Sequence, residues 1–488
     1  MEEFDTQETH ISRLLFADGR VYKWKKPVRF AFIDLTTPAA RLQACESEVE
    51  LNRRLSPDVY EGIGNFVGPD GRVEPVVVMR RLPDSRRMSV LVRHDDPSLV
   101  PRLAEVAATL AGFHRAARTG PDVDVDCTDA AVRRLWQNNL DELRAVSEDI
   151  LDPESVEEAW EMASVYIAGR RALFEDRLRA GRAVDGHGDL LCDDIFLMDD
   201  GPRILDCIEF DDHLRHLDPL ADIASLAMDL EHEGRPDLAA TFLDSYRTLS
   251  GDFWPDSLAH LHIAYRATVR AKVACMQALK LRGDREAASV SDARMLMAQA
   301  LQHLRSAAVR MVIVGGLPGT GKTTLSAQLS AATGWAVVGS DMVRKRLAGL
   351  EPDADATAAF GSGIYSGDMT ALVYEELMEE AASLLRLGQS VIVDASWIHR
   401  NWRDAAHEVA DRCLAEFIPV QCRVSGELAR ARIRQRILSG QRTSDATPSI
   451  HDEMAAALEP WYDAITVDTS AEVDGAVETI LDAIGFEP

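Results

Sequence analysis

The spacing of apolar positions changes character along the chain and divides it in two. Residues 11–33 carry short alternating runs around Asp18-Gly19, a pair suited to a tight turn, and predict short strands. Residues 39–55 place Leu42, Cys45, Val49 and Leu55 near a helical period, and Val76-Val77-Val78-Met79 reads as a buried strand. From about residue 100 the period is helical, as in Leu103, Val106, Ala107, Leu110 and Phe113, interrupted by a strand-rich island at about 184–210. The first block is therefore α+β over 1–307, with a small sheet lobe at about 1–95 and a helical lobe at about 96–307. A helix over roughly 286–307, carrying Met295, Leu296, Met297, Leu301 and Leu304, runs without a Pro or Gly spacer into Val309-Arg310-Met311-Val312-Ile313-Val314. Beyond it, apolar strands at 311–315, 336–339, 390–394, 415–422 and 464–467 alternate with helical patterns. That alternation is the βαβ signature of a parallel sheet and makes 308–488 an α/β domain.

Composition agrees with two globular blocks. A chain of 488 residues exceeds one ordinary hydrophobic core, and 46% apolar with 27% charged residues is a soluble globular composition. The acidic start Met1-Glu2-Glu3-Phe4-Asp5 lacks a signal-peptide pattern, and no stretch holds about 18 uninterrupted apolar residues, so a cytoplasmic location without membrane insertion is expected. Seven scattered cysteines without a C-x-x-C pair signal neither a zinc site nor a disulfide framework. A formal charge of -27 works against nonspecific attraction to nucleic acid or anionic membranes and fits simple solubility or a cationic substrate.

Chemistry enters with Gly316-Leu317-Pro318-Gly319-Thr320-Gly321-Lys322-Thr323, which matches G-x-x-x-x-G-K-T between an apolar strand and the helical run Leu325, Leu329. Gly316, Gly319 and Gly321 let backbone N–H groups turn inward around phosphates at a helix N-terminus, Lys322 reaches the β/γ-phosphates, and the Thr323 hydroxyl ligates Mg²⁺. Thr324 belongs to the same nucleotide-binding set. Asp341 stands at the carboxyl end of the next strand as a candidate general base or, alternatively, the cap of the following helix. Arg344, one turn later, suits an anionic group. Asp394 ends a buried strand, either in the manner of a Walker B carboxylate or as an ordinary loop acid. Arg430, Arg432, Arg434 and Arg436 crowd one helix, with Arg432 and Arg436 on one face, either as a solvated surface or as a lid over phosphates. Together these segments resemble the small P-loop kinases related to polynucleotide kinase, gluconate kinase and adenylylsulfate kinase. The resemblance implies transfer of the ATP γ-phosphoryl to a hydroxyl, with position 341 as base.

A second constellation is His187-Gly188-Asp189-Leu190-Leu191-Cys192-Asp193-Asp194, followed by Ile204-Leu205-Asp206. An acid to accept a hydroxyl proton (Asp189), a Mg²⁺ ligand five residues on (Asp194) and a strand-end acid for metal (Asp206) divide the labour as kinase catalysis does. The pattern resembles the aminoglycoside phosphotransferase and choline kinase branch of the protein-kinase-like fold, with Asp194 where those proteins carry Asn. The resemblance implies that Lys23 holds the α/β-phosphates with Glu48 as its ion-pair partner, Lys25 being the rival on the same strand. It further implies that Arg80-Arg81-Leu82-Pro83 forms the adenine hinge, under a nucleotide-covering loop, Phe16-Ala17-Asp18-Gly19-Arg20, that has one glycine. Glu209, Asp211, Asp212, Asp218 and Asp222 are either a cationic-substrate surface or capping and solvated acids. Nearly the whole chain resembles bacterial proteins that fuse an aminoglycoside phosphotransferase domain to an ATP-binding P-loop domain. The expected function is an ATP- and Mg²⁺-dependent kinase with two nucleotide sites and a small-molecule hydroxyl acceptor. Two alternatives stand beside it, a polynucleotide 5′-hydroxyl kinase and an ATP-sensing regulator with a degenerate N-terminal domain. The motifs carry no information on oligomeric state.

Overall fold

The computed structural model describes residues 5–8, 11–30, 33–68, 71, 73–351, 366–439, 447–471 and 474–486. Two compact units result: Met1–Trp160 with Phe174–Trp254 and Leu261–His303, and Glu161–Leu173 with Pro255–His260 and Leu304–Pro488.

The first unit opens with a five-stranded antiparallel sheet in the order Asp5–Glu8, Ser12–Ala17, Arg20–Lys25, Val73–Arg80, Tyr60–Val67. Asp18 (φ 49°) and Gly19 (φ 73°) form the two-residue turn between Ala17 and Arg20, both in the left-handed region that suits the right-handed twist of a hairpin. The helix Pro38–Asn52, capped by Thr37, packs Cys45 and Val49 against Val21, Val77 and Met79. Leu42 lies on its exposed side, contrary to the helical spacing read from the sequence, and Leu55 falls beyond its end. The buried face instead carries Arg41, Glu48 and Asn52, polar residues recruited by ion pairs and hydrogen bonds that an apolar-spacing argument passes over. Helices dominate the remainder of the unit, with the expected island appearing as the hairpin Ile195–Met198 and Gly201–Ile204 and the short strand Val184–Asp185 paired to His216–Leu217. Met295, placed by the sequence reading among its helix's apolar positions, is exposed.

The second unit is built on five parallel strands in the order Ala336–Gly339, Val391–Asp394, Arg310–Gly315, Glu416–Arg423, Ile465–Asp468. Every residue of the central strands Arg310–Gly315 and Val391–Asp394 is buried, as expected for parallel strands covered on both faces. Their carboxyl ends meet at one edge of the sheet, where this architecture places ligand sites. All seven cysteines are buried and unbridged, and among the described residues no helix is long and apolar enough to cross a membrane.

Candidate active sites

In the first unit, residues from distant segments converge on Glu48. Lys23 Nζ lies 2.8 Å from Glu48 Oε1 and 2.7 Å from Asp206 Oδ1. Lys25 Nζ lies 2.7 Å from Glu48 Oε2 and bonds Glu209. The buried Glu48 carboxylate therefore serves both lysines, one oxygen each. Lys25 is almost wholly enclosed, whereas Lys23 retains an exposed margin and reaches the acid cluster. Burial pulls the Lys23 ammonium down, but Asp206 and Glu48 outweigh it and hold its pKa well above the ordinary lysine value. Asp206 itself sits at φ 62°, a backbone conformation rare for a side-chain-bearing residue and of the strained kind that collects at functional sites.

The segment His187-Gly188-Asp189 is fixed from below by Asp222. Its carboxylate accepts the His187 N–H at 2.7 Å and the Gly188 N–H at 2.9 Å, and lies 3.0 Å from His114 Nε2. Despite complete burial, these partners depress its pKa to about 2. His187 Nδ1 accepts the Asp189 N–H at 3.3 Å while Nε2 faces the Leu205 carbonyl at 3.0 Å, which fixes the neutral tautomer with hydrogen on Nε2. Asp189 Oδ1 accepts from Arg266 Nη2 at 2.7 Å, and Arg266 is held in turn by Ser225 Oγ at 2.9 Å and the Gly188 carbonyl. The Asp194 carboxyl is pushed well above the usual range by burial, and the fields of Asp206, Asp189 and Asp193 add to the rise.

Asp222 was read only as a cationic-substrate or capping acid, and Arg266 and His114 were given no role from the sequence. Their signal was the nearby acidic stretch and the Tyr265-Arg266 segment, neither of which states a contact. All five acids of that stretch have internal work: Glu209 bonds Lys25, Asp211 caps the turn at His213, Asp212 pairs with Arg215, Asp218 caps Pro219–His232 and pairs with Arg177, and Asp222 holds the loop.

A cavity of about 80 Å³ adjoins this loop, with Trp136, Phe174, Leu217, Tyr265 and Arg266 among its lining. His262 stands in its wall, buried, its Nε2 without a hydrogen-bond partner among the described residues, and burial draws its pKa from 6.5 to about 4. Because the folded value lies below the unfolded one, protonation favours the unfolded chain. The contribution is complete above pH 6.5 and is lost as the pH falls through about 4, amounting to about 3 kcal/mol. Urea midpoints are expected to fall across this window in the wild type, with a smaller fall in His262→Phe.

In the second unit the helix Lys322–Thr333 begins after Gly321, which provides no side-chain cap, so its first-turn N–H groups remain available to an anion. Gly316, Gly319 and Gly321 have φ of 145°, 82° and 88°. A Cβ at Gly319 would lie 2.5 Å from the Ala429 carbonyl oxygen. Gly319→Ala is accordingly expected to deform the loop at a cost of about 1–3 kcal/mol, weakening nucleotide binding roughly tenfold or more. Titration with a fluorescent ATP analogue checks it.

Thr323 Oγ1 donates to Asp394 Oδ2 at 2.7 Å, and Lys322 Nζ donates to the Leu317 carbonyl at 3.3 Å. Burial raises the Asp394 carboxyl, with Lys322 and Thr323 opposing and Asp341 adding to the rise. Thr324 is exposed on the first helical turn. Gly339, not Asp341, occupies the cap position of Ser340–Leu347. Arg344 is buried and donates to Thr370 Oγ1 at 3.4 Å. Arg432 donates to the Thr469 carbonyl at 2.8 Å, beside Gly321, whereas Arg430 pairs with Asp452; Arg434 is exposed and Arg436 half-buried. His451 Nδ1 reaches the Pro318 carbonyl at 2.8 Å, and Thr469 Oγ1 donates to the Thr320 carbonyl. These last two supports of the loop come from segments that carry no motif.

The phosphotransferase enzyme family model matches residues 24–259, and an AAA domain model matches residues 311–461. The uncharacterized protein Rv2004c of Mycobacterium tuberculosis (strain ATCC 25618 / H37Rv) is 39% identical over 474 residues, covering 97% of this chain and 94% of that protein. Among solved structures, choline kinase from Cryptosporidium parvum Iowa II aligns at 12% identity and a TM-score of 0.41 over 62% of this chain and 89% of its own. A gluconokinase from Sinorhizobium meliloti 1021 aligns at 18% identity and a TM-score of 0.27 over 36% of this chain and 91% of its own.

Proposed function

The chain belongs to the bacterial family that joins an aminoglycoside-phosphotransferase-like kinase domain to a P-loop kinase domain, and we propose that it binds ATP in both domains and phosphorylates a small-molecule hydroxyl. The boundary between the domains is proposed at 307/308. The observation that supports this reading most is the meeting of Lys23 with Glu48 and Asp206, from widely separated segments, with the loop that carries Asp189 tied beside Asp206 by the hydrogen bond between His187 and the Leu205 carbonyl.

In the amino-terminal domain Lys23, fixed by Glu48, holds the α- and β-phosphates. Asp189 takes the proton of the acceptor hydroxyl as its oxygen attacks the γ-phosphorus and the bond to the departing ADP breaks, and Arg266 keeps the carboxylate aimed. The mutual field that raises Asp194 among Asp189, Asp193 and Asp206 fits a divalent cation, which Asp194 and Asp206 would hold. In the P-loop domain, Gly316, Gly319, Gly321, Lys322 and Thr324 receive the nucleotide, while Thr323 and the buried Asp394, already hydrogen-bonded to each other, fit a Mg²⁺ position. When bound, Mg²⁺ neutralises phosphate charge and orients the γ-phosphoryl. Asp341 serves as base there, with Arg344, Arg432 and Arg436 countering the charge of the transferred group.

The cavity beside Asp189 favours an uncharged acceptor over a polycation. Its acids are already engaged within the protein, Asp218 by Arg177 and Asp126 by hydrogen bonds from His213 and His216. The test is an acceptor screen with γ-labelled ATP and Mg²⁺ on the full chain. Labelled product with a neutral polyol or glycoside, lost in the Asp189→Asn, Lys322→Ala double variant, supports the reading; release of inorganic phosphate alone across the screen counts against it.

A further inference from the structure

Three side chains in the wall of the cavity, none with a part in the phosphotransfer chemistry, bring donor atoms together. Asp126 comes from the short turn Val125–Cys127, His213 from the turn Asp212–Leu214 and His216 from the strand His216–Leu217. One carboxylate oxygen, Asp126 Oδ2, lies 2.8 Å from His213 Nδ1 and 2.7 Å from His216 Nδ1, and one ligand atom from each residue falls within 4.8 Å of the others. We propose that Asp126, His213 and His216 form a binding site for a divalent transition metal of the Zn²⁺ class, tying the Val125–Cys127 turn to the segment 212–217.

Two imidazoles and a carboxylate are the borderline nitrogen and oxygen donors that such ions select over Mg²⁺ or Ca²⁺. Metal–ligand bonds of about 2.0–2.1 Å in a tetrahedron imply ligand–ligand edges of roughly 3.3 Å, so the two observed edges need open by only about half an ångström. Three protein ligands leave a fourth position for water. His213 is 72% exposed, giving the ion a route in, and all three residues line the cavity near the catalytic loop.

Without metal the trio is held by hydrogen bonds, both Nδ1–H groups donating to Asp126 and Arg118 Nη2 donating to His216 Nε2 at 2.8 Å. Coordination through Nδ1 moves each ring proton to Nε2, and a His213 already protonated beside Asp126 releases one proton to solvent. The Arg118 guanidinium must then leave His216, which its 47% exposed side chain permits, since Asp122 already engages it at the surface.

The test uses the full chain, stripped with a chelator and kept in excess Mg²⁺ without nucleotide, so that the carboxylates of the phosphotransfer sites are occupied. Calorimetric titration with Zn²⁺ is expected to show one tight equivalent, and Co²⁺ to give the visible d–d absorption of a low-coordinate nitrogen and oxygen site. His213→Ala, at an exposed position, and Asp126→Asn are each expected to weaken Zn²⁺ at least about tenfold. Absence of Zn²⁺ uptake by the wild type, unchanged affinity in both variants, or a thiolate-to-cobalt charge-transfer band that puts the ion on a cysteine would each overturn the proposal.

Discussion

An Asp189→Asn variant, read in a chain that also carries Lys322→Ala, is expected to lose about 10²- to 10⁴-fold in phosphoryl transfer by the amino-terminal domain while keeping its affinity for ATP. The amide still offers an oxygen to Arg266 Nη2, now 2.7 Å from Asp189 Oδ1, so the loop geometry held by Asp222 is preserved. What disappears is the group that takes the hydroxyl proton. Initial rates with γ-labelled ATP separate the cases: a fall in kcat with unchanged ATP KM marks a base, whereas a parallel rise in KM marks a loop that has shifted.

Lys322→Ala on its own is expected to lower transfer by the P-loop domain about 10²- to 10³-fold, the size of effect produced by removing one preorganised charge from a transferring group. The surrounding loop does not depend on this lysine for its shape. Its glycine conformations are set by the close approach of Ala429 and by His451 and Thr469 on the carbonyls of Pro318 and Thr320, while the Lys322 ammonium reaches only the Leu317 carbonyl at 3.3 Å. The variant should therefore fold normally and be deficient in binding and chemistry, which a thermal midpoint without nucleotide, compared with wild type, checks directly.

Much of the second unit could be read from the chain. Strands buried on both faces are continuous apolar runs, and the stretches expected at 311–315, 336–339, 390–394, 415–422 and 464–467 emerge as Arg310–Gly315, Ala336–Gly339, Val391–Asp394, Glu416–Arg423 and Ile465–Asp468. Their lateral order was not legible, because a parallel crossover fixes handedness without naming the neighbour on the other side. In the first unit the family resemblance implied the pairing of Lys23 with Glu48, but not that Asp206 would join Lys23 or that Glu48 would divide its oxygens between Lys23 and Lys25. The misplacement of Leu42 has the same origin: the helix Pro38–Asn52 buries polar residues for their charges, and hydrophobic spacing cannot register that. Asp222, Arg266 and His451 act through contacts 34 to 133 residues away in sequence, a separation no local pattern encodes.

The measurement closest to the central claim is a count of nucleotide sites. Isothermal titration of the wild type with a nonhydrolysable ATP analogue and Mg²⁺ is expected to give two sites, and the same titration of Lys322→Ala one. A single site in the wild type that vanishes in Lys322→Ala would contradict the account, leaving the amino-terminal domain without a nucleotide despite its assembled Lys23, Glu48 and Asp206.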